Sequence, residues 1–335
     1  MNILGIETSC DDTSFALFSE ERGVIANLTA AQVVHDLYGG VVPEIASREH
    51  TRNLLPVFDA LLDQSGMDPG DIDGIGVTNG PGLIGSLLVG VGFAKSLALT
   101  LGVPVVGVHH IEAHILSNEI AGQPLGTPCT VLVVSGGHSS LYQIDEPGRY
   151  RLVGNTRDDA AGECFDKIAK LLGLGFPGGP AIERRARNGD PHAVRFPRAM
   201  LRDDSYHFSF SGLKTAVRQY VELEQPLDEH TVSDIAASAQ EAIVDVLVVK
   251  TIRCAVENGS RHVYLAGGVA ANGPLRERTA EACAKHGVSY HAPSLQYCTD
   301  NGAMVACAAQ RDLLAGRNDG PRLDVFARGP IPVRG

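Results

Sequence analysis

A strand, a short polar turn and a returning strand occur twice in this chain, and this repeat constrains the fold more than any other feature. The first copy runs from Ile3–Ile6 to Ser14–Phe18, and the second runs from Thr130–Val134 to Ser140–Ile144. The residues between the strands are mainly glycine, serine, threonine and acids, which suit tight turns that expose backbone N–H groups. Each copy therefore predicts a β-hairpin with a polar tip.

Helices and strands follow each hairpin in a similar order. The predicted elements are helix 43–63, strand 72–78, helix 85–101 and strand 103–108 in the first half, then helices 160–172 and 233–258, strand 262–266 and helices 272–286 and 301–315. Two α/β halves of this kind are typical of the actin-like ATPase fold of actins and sugar kinases, in which a central cleft binds the ligand. We expect residues 1–109 with about 301–325 to form the N-terminal half, and residues 110–300 to form the C-terminal half with most substrate contacts.

A pair of histidines predicts a metal site. His110 and His114 are one turn apart in a predicted helix over 110–121, so both rings lie on one helix face. Asp300, far downstream, would complete a set of two histidines and one carboxylate with open coordination positions. That set suits Fe(II), with Zn(II) as the competitor. Such a pair also occurs by chance, so the site depends on the other motifs. We expect both rings to be exposed, so that their loss leaves the fold intact.

Glycine-rich turns predict a phosphate or nucleoside site. Ser135–Gly137 follows a strand, and Gly267–Asn272 lies between a strand and a helix. Glycine lets a ligand approach the backbone, and a helix N-terminus attracts phosphate. The alternative is an ordinary connection in which Asn272 only caps the helix. Asp166 and Glu183 have alternatives too, as a solvated acid and as a charge that favours a helix N-terminus.

Composition indicates a globular protein of the cell interior. The 335 residues are 44% hydrophobic and 20% charged, which suits two ordinary domains. Seven cysteines without a Cys-x-x-Cys pair favour a reducing compartment. The N-terminus shows no signal peptide, and the uncharged segment Gly74–Ala94 contains too many glycines for a membrane span. We therefore expect a cytoplasmic protein without a membrane partner.

Together the motifs resemble those of a known family. The strings that carry the resemblance occur in order at Gly5–Thr13, Gly39–Arg48, His109–His114, Val133–His138, Phe208–Thr215, Ala266–Asn272 and Cys298–Met304. They are similar to the bacterial tRNA N6-adenosine threonylcarbamoyltransferase (TsaD) family, formerly called glycoproteases or O-sialoglycoprotein endopeptidases. The resemblance implies transfer of threonylcarbamoyl from threonylcarbamoyl-AMP to N6 of adenosine 37, with release of AMP, in tRNAs that read codons beginning with A. It also implies the actin-like fold.

The resemblance assigns roles to individual residues. It implies one Fe(II) per chain on His110, His114 and Asp300, and ATP or threonylcarbamoyl-AMP as the nucleotide ligand. The substrate contacts that it implies are Val133, Val134, Ser135, Gly136, Gly137, Asp166, Gly179, Glu183 and Asn272. No residue is assigned as a covalent nucleophile, so direct acyl transfer in a metal-dependent acyltransferase is the simpler mechanism. The implied partners are a TsaB-type paralogue, a TsaE-type accessory ATPase and the enzyme that makes threonylcarbamoyl-AMP.

One basic segment is a candidate surface for the anticodon stem–loop of tRNA. The net charge is −11, which argues against nonspecific binding to nucleic acid. Between Glu183 and Arg218, however, eight Lys/Arg and four Asp/Glu give +4, so the rest of the chain carries −15. Phe196, Tyr206, Phe208 and Phe210 are interleaved with these cations and could stack on bases. Alternatively, the aromatic residues belong to the core and the arginines are merely solvated.

Two other functions are weighed against the transferase. A metalloprotease would place its base as in His-Glu-x-x-His, whereas Glu112 is two residues after His110. A non-catalytic ATP-binding scaffold would keep the nucleotide contacts without an open metal site. His138 and the pair Asp11 and Asp12 are candidates for proton or phosphate handling, or simply polar turn residues.

Overall fold

The computed structural model describes residues 1–38 and 40–332 and divides into two compact units. Unit 1 consists of Met1–Pro124 and Thr299–Pro332, and unit 2 contains Leu125–Cys298. The predicted halves divide instead at 109/110 and near 300, so the helix that carries the histidine pair lies in unit 1. Gly39, which opens one of the motif strings, lies outside the described residues.

Unit 1 is a mixed sheet covered by helices. Its strands are β1 (Asn2–Glu7), β2 (Asp12–Ser19), β3 (Gly23–Ala31), β4 (Gly74–Gly80) and β5 (Val105–His109), and its helices are α1 (Pro43–Ser65), α2 (Ile84–Leu101), α3 (His110–Leu116) and α9 (Gly302–Leu314). The strand order is β3-β2-β1-β4-β5. The first three strands pair antiparallel, and β4 and β5 add in parallel. Helices cover the sheet, so β1 is an apolar run rather than an alternating pattern.

Unit 2 repeats this topology. Its strands are β6 (Cys129–Val134), β7 (Ser139–Ile144), β8 (Tyr150–Asn155), β9 (His262–Ala266) and β10 (Ser289–His291), and its helices are α4 (Ala161–Leu171), α5 (Gly178–Ala186), α6 (Ser211–Leu223), α7 (Glu229–Glu257) and α8 (Gly273–Lys285). The order is β8-β7-β6-β9-β10, with an antiparallel meander followed by two parallel strands. The predicted duplication and the α/β fold class are therefore confirmed.

Each unit has its own hydrophobic core. In unit 1, Phe15, Phe58 and Phe93 form a cluster of ring contacts with centroids 5.5–5.7 Å apart. In unit 2, α7 is buried along most of its length, which explains why its sequence shows little amphipathic periodicity. The helix also begins four residues earlier than predicted, because Asp228 accepts a hydrogen bond from Thr231 N and caps it.

The uncharged segment 74–94 forms β4, a turn and most of α2. By length and composition, α2 is a helix that could also cross a membrane, but core helices pass the same test. Its small and branched residues Val91, Ala94 and Ala98 belong to the core of unit 1, where the helix packs against α1 and β4. This packing agrees with the expectation of a core helix.

Four of the described strands and helices are absent from the prediction: β3, β8, β10 and α6. The segment that forms α6 is interpreted from sequence as part of a basic surface. In the structure, Leu213, Val217 and Val221 recur at a spacing of four residues and pack into the core. Asp158 fixes the start of this helix, because its carboxylate accepts hydrogen bonds from the backbone and hydroxyl groups of residues 209–211.

The start of α9 lies in direct backbone contact with the first sheet. A Cβ atom added at Gly5 would lie 2.1 Å from Gly302 O and 2.6 Å from Ala306 N. A Cβ atom at Gly302 would lie 2.4 Å from Ala16 N. Only glycine permits this approach, which sets the position of the residues just before α9.

We expect Gly5→Ala to lower the free energy of unfolding by about 1–3 kcal/mol, because the methyl group must displace backbone atoms. Gly70→Ala is the matched control, since a Cβ atom there meets nothing within 4 Å. The control should stay within about 0.5 kcal/mol of the parent. Urea denaturation measures both. Equal stability of the two variants would contradict the close packing of α9 on β1.

Candidate functional site

The histidine pair lies on a short, fully buried helix of unit 1. β5 ends at His109, and α3 starts at the next residue. His110 and His114 are only 7% and 1% exposed, with ring centroids 4.7 Å apart and ring planes at 84°. The expectation of exposed rings is therefore wrong. The physical reason is that α3 is buried along its whole length, so loss of either ring opens a cavity.

Asp300 approaches both rings from the segment before α9. Its Oδ1 lies 3.0 Å from His114 Nε2 and 3.7 Å from His110 Nε2. The next residue, Asn301, caps α9 by accepting a hydrogen bond from Met304 N at 2.8 Å, which fixes this segment. The three side chains each offer a ligand atom, and these atoms lie within 4.8 Å of one another. The predicted set thus converges with a geometry that fits one metal ion.

The electrostatics around this point favour a cation. Burial raises the pKa of the Asp12 carboxyl to about 8, and the negative charges of Asp300, Asp11 and Glu7 add to that effect. Burial alone would lower the pKa of His110, but Asp300 and Glu7 outweigh it and raise the pKa to about 9. Several carboxylates therefore share a buried region, and a bound cation would reduce their mutual repulsion.

Glu7 is a member of this cluster that the sequence analysis did not identify. It is the last residue of β1 and has no solvent exposure. Its Oε2 lies 3.1 Å from His110 Nδ1 and accepts a hydrogen bond from Thr78 Oγ1 at 2.6 Å. Its Oε1 accepts from Ser9 N at 2.5 Å. Its position in the Gly5–Thr13 motif was the available signal, but spacing could not show that it contacts His110.

In unit 2, the turn after β6 leaves backbone groups accessible. Val133 and Val134 are strand residues with buried side chains, so they can offer only their backbone to a ligand. Ser135 N donates to His138 O at 2.8 Å, and His138 N donates to Ser135 Oγ at 3.1 Å, which closes the turn. A Cβ atom at Gly136 or at Gly137 would meet nothing within 4 Å.

Glycines bring α4 and the segment before α8 close to this turn. A Cβ atom at Gly162, in the first turn of α4, would lie 2.6 Å from Ser135 O. Gly267 has a positive φ of 88°, and a Cβ atom there would lie 2.5 Å from Val134 O. Both positions require glycine, because a side chain would separate the helices from the turn.

Asp166 and Gly179 lie at the junction of α4 and α5. Asp166 Oδ1 accepts a hydrogen bond from Gly178 N at 2.7 Å, so this carboxylate fixes the start of α5. A Cβ atom at Gly178 would lie 2.4 Å from Asp166 Cα. At Gly179 the same atom would meet nothing, so the outer side of this turn is open.

The Asn272 side chain is engaged on both of its ends. Its Oδ1 accepts from Leu275 N at 3.0 Å and caps α8. Its Nδ2 donates to Gln240 Oε1 at 2.9 Å and to Glu183 Oε2 at 3.2 Å. Glu183 lies in the middle of α5, so the alternative that placed its charge at a helix N-terminus is wrong. Gln240, on the buried α7, was missed, because the sequence gives no sign of which α7 residue faces the α8 cap.

The basic segment differs from the predicted RNA surface. Phe196, Phe208 and Phe210 are at most 4% exposed and belong to the core of unit 2, so they are not available to stack on bases. Tyr206 OH donates a hydrogen bond to Glu257. The cations in ion pairs are Arg185, Arg187, Arg198, Lys214 and Arg218. The core alternative is therefore correct for these phenylalanines.

Comparison with known proteins gives a consistent result. The family model described as "TsaD: tRNA N6-adenosine threonylcarbamoyltransferase" matches residues 23–307. A protein of that name from Caldicellulosiruptor saccharolyticus is 48% identical over 319 residues, which cover 95% of this chain and 94% of the relative. One from Syntrophotalea carbinolica is 48% identical over 335 residues, covering 99% and 97%.

A solved structure shares the fold. The activator of 2-hydroxyisocaproyl-CoA dehydratase from Clostridium difficile, with bound ADPNP, aligns with a TM-score of 0.55 and 13% identity. The alignment covers 94% of this chain and 97% of that one. At this identity the likeness concerns the fold, which is the actin-like ATPase fold.

We expect Asn272→Ala to lower the free energy of unfolding by about 1–3 kcal/mol, because it removes the α8 cap and leaves Gln240 without its donor. Asn188→Ala is the control, since Asn188 is exposed and has no side-chain contact of this kind. Chemical denaturation of both variants measures the difference. A loss no larger than that of the control would contradict the structural role of the Asn272 amide.

Proposed function

The chain belongs to the tRNA N6-adenosine threonylcarbamoyltransferase family, and from this premise we propose that its acyl transfer depends on a metal ion held by His110, His114 and Asp300. The reaction moves a threonylcarbamoyl group to N6 of a tRNA adenosine. The observation that carries the metal proposal is the convergence of two buried Nε2 atoms on one carboxylate oxygen. Two histidines that were neighbours only by chance would not need a carboxylate such as Asp300 beside them.

The ion is proposed to be Fe(II), with Zn(II) as the competitor. Two imidazoles and one carboxylate leave coordination positions open, which suits substrate binding. When bound, the ion supplies Lewis acidity and a fixed point of attachment for the oxygens of the threonylcarbamoyl group. Metal analysis of protein purified without oxygen distinguishes the two metals.

The chain's own residues are proposed to position the reactants. The Ser135–Gly137 turn offers backbone N–H groups to the phosphate of threonylcarbamoyl-AMP, and Asp166, Gly179, Glu183 and Asn272 form the nucleoside subsite. The two valines before the turn contribute backbone only. In the transfer, the N6 nitrogen forms a bond to the carbamoyl carbon, the bond from that carbon to the phosphate oxygen breaks, and AMP leaves. The amine loses one proton, and no covalent intermediate with the protein is required.

Glu183 and Gln240 support Asn272 within this proposed subsite. The Asn272 amide is already bonded to both, so its role toward the nucleoside is to fix the start of α8 and the open backbone beside it. Asp166 acts in the same way on α5. The proposed subsite therefore consists mainly of backbone groups that these side chains hold in place. Such a subsite suits a nucleoside that lies directly against the backbone.

We propose that tRNA affinity is shared with partner proteins in the cytoplasm. The net charge is −11, and several cations of the basic segment are neutralised in ion pairs. Arg184, Arg195 and Arg202 are exposed and make no ion pair within the described residues, so we assign them to phosphate contacts. Family membership supports the partners: a TsaB-type paralogue, a TsaE-type ATPase and the enzyme that supplies threonylcarbamoyl-AMP. Because few cations of this segment are free to bind tRNA, we expect this chain alone to turn over slowly.

Asp300→Asn should reduce bound metal and lower transfer by about 10²–10³-fold, because it removes the one charged ligand without changing its shape. Asp300 is less buried than the two rings, so this variant disturbs packing least. Metal analysis and mass spectrometry of tRNA nucleosides, with the partner proteins present, give the two readouts. Asp324→Asn, an exposed carboxylate in unit 1, is the control and should behave as the parent. Full transfer by a metal-free Asp300→Asn protein would end the proposal.

Gly179→Val should weaken binding of ATP or AMP at least tenfold, because the side chain would occupy the space that the nucleoside approaches. Gly212→Val is a close match: both glycines are second residues of helices in unit 2, and a Cβ atom at either meets nothing. Isothermal titration with each nucleotide compares them, and thermal unfolding should show similar small changes. Equal affinity of the two variants would remove Gly179 from the nucleotide subsite.

A further inference from the structure

We infer that Glu7 is a positioning residue of the metal centre, which holds the His110 ring with Nδ1 protonated and Nε2 free to bind the ion. The inference rests on the proposed metal site and goes beyond its three ligands. It gives a role to the charged side chain of Glu7, which is completely buried at the end of β1. The proposed transfer chemistry does not itself use this side chain.

The contacts of Glu7 are those of an ionised carboxylate held in one orientation. Each oxygen accepts at least one hydrogen bond, from Ser9 N and from Thr78 Oγ1. Its ion-pair partner within the described residues is His110, with no lysine or arginine in reach. A fully buried carboxylate without such compensation would be very costly, so this arrangement requires a specific role for the charge.

The geometry determines which tautomer of His110 is present. An ionised carboxylate can only accept hydrogen bonds, so the Nδ1 atom 3.1 Å from Glu7 Oε2 must carry the proton. The lone pair of the neutral ring is then on Nε2. That atom is the one that faces Asp300 Oδ1 at 3.7 Å. Of the two neutral tautomers, Glu7 therefore selects the one that can bind a metal ion through Nε2, and Ser9 Oγ, 3.2 Å from Nδ1, adds a second contact.

The second histidine lacks such support. His114 Nδ1 is buried and has no hydrogen-bond partner among the described residues. Its ring is instead fixed by burial, with 1% exposure. Loss of Glu7 would therefore leave the Ser9 hydroxyl as the one acceptor behind the pair among the described residues. We therefore expect that, among residues other than the three ligands, Glu7 contributes most to the orientation of the histidine rings.

Charge balance gives Glu7 a second effect. Two neutral imidazoles and Asp300 contribute one negative charge, so a divalent ion would leave the ligand set with one positive charge. The Glu7 carboxylate neutralises that charge within a buried region, where the interaction is stronger than in water. Both effects favour metal binding, and substitution of such outer groups typically costs 10–100-fold in metal affinity.

The test is a Zn²⁺ titration of the metal-free full-length protein by calorimetry. Glu7→Gln keeps the shape but removes the charge, and we expect its affinity for Zn²⁺ to fall about 10–100-fold. Glu119→Gln is the matched control, because it removes the charge of another largely buried glutamate of unit 1, paired with Arg311, and should bind as the parent does. Asp300→Asn in the same titration tests the metal site itself, so failure of the site and failure of the Glu7 role give different results.

Nuclear magnetic resonance of ¹⁵N-histidine in the parent protein provides a readout that does not depend on the stability of any variant. The signals of His110, identified by their absence in His110→Asn, should show a proton on Nδ1 in the metal-free protein at a pH where the ring is neutral, and again with Zn²⁺ bound. A proton on Nε2 in the neutral ring would overturn the inference. So would a Glu7→Gln affinity within about threefold of the parent while Asp300→Asn loses binding.

Discussion

Backbone contact through glycine is the constraint on which both candidate sites depend. In unit 1, Gly5 and Gly302 let the start of α9 lie directly on β1, and Asp300 is two residues before that point. In unit 2, Gly162 and Gly267 bring α4 and the segment before α8 against the turn after β6. In each unit, the absence of a side chain at these glycines allows two backbone segments to come into contact. The functional side chains can then be few, because the backbone is already in place.

The proposed metal centre combines burial with an excess of negative charge. His110, His114 and Glu7 lie inside unit 1, where each would be unfavourable without its partners. Thr78 and His110 donate to one oxygen of the Glu7 carboxylate and Ser9 N donates to the other, so each oxygen has a donor. Such a centre is costly to build and strongly oriented, which suits a site that must hold a reactive carbonyl in one place. Binding of a cation would offset part of the unfavourable free energy of burying these groups.

The nucleotide subsite and the tRNA surface follow different principles. The proposed subsite uses turns and helix starts, with Asp166 and Asn272 holding the backbone from behind. The basic segment, by contrast, is largely structural: its phenylalanines fill the core, and Arg198 pairs with Asp245. An acidic protein with few unpaired cations on this segment is consistent with the proposal that partner proteins share in binding the tRNA. This explains why charge counts along the sequence overstate the RNA-binding surface.

The sequence alone determined the duplicated α/β fold and the family, because these depend on periodicity and on motifs of local spacing. The resemblance to that family also predicted that Asp300 joins His110 and His114. The sequence also predicted most helices and strands to within a few residues. Only the tertiary structure decided that both rings are buried, that Glu7 lies behind one of them and that Gln240 holds Asn272. Those facts are contacts between residues far apart in the chain. Burial and ion pairing are properties of packed neighbours, and no local pattern encodes which neighbours will meet.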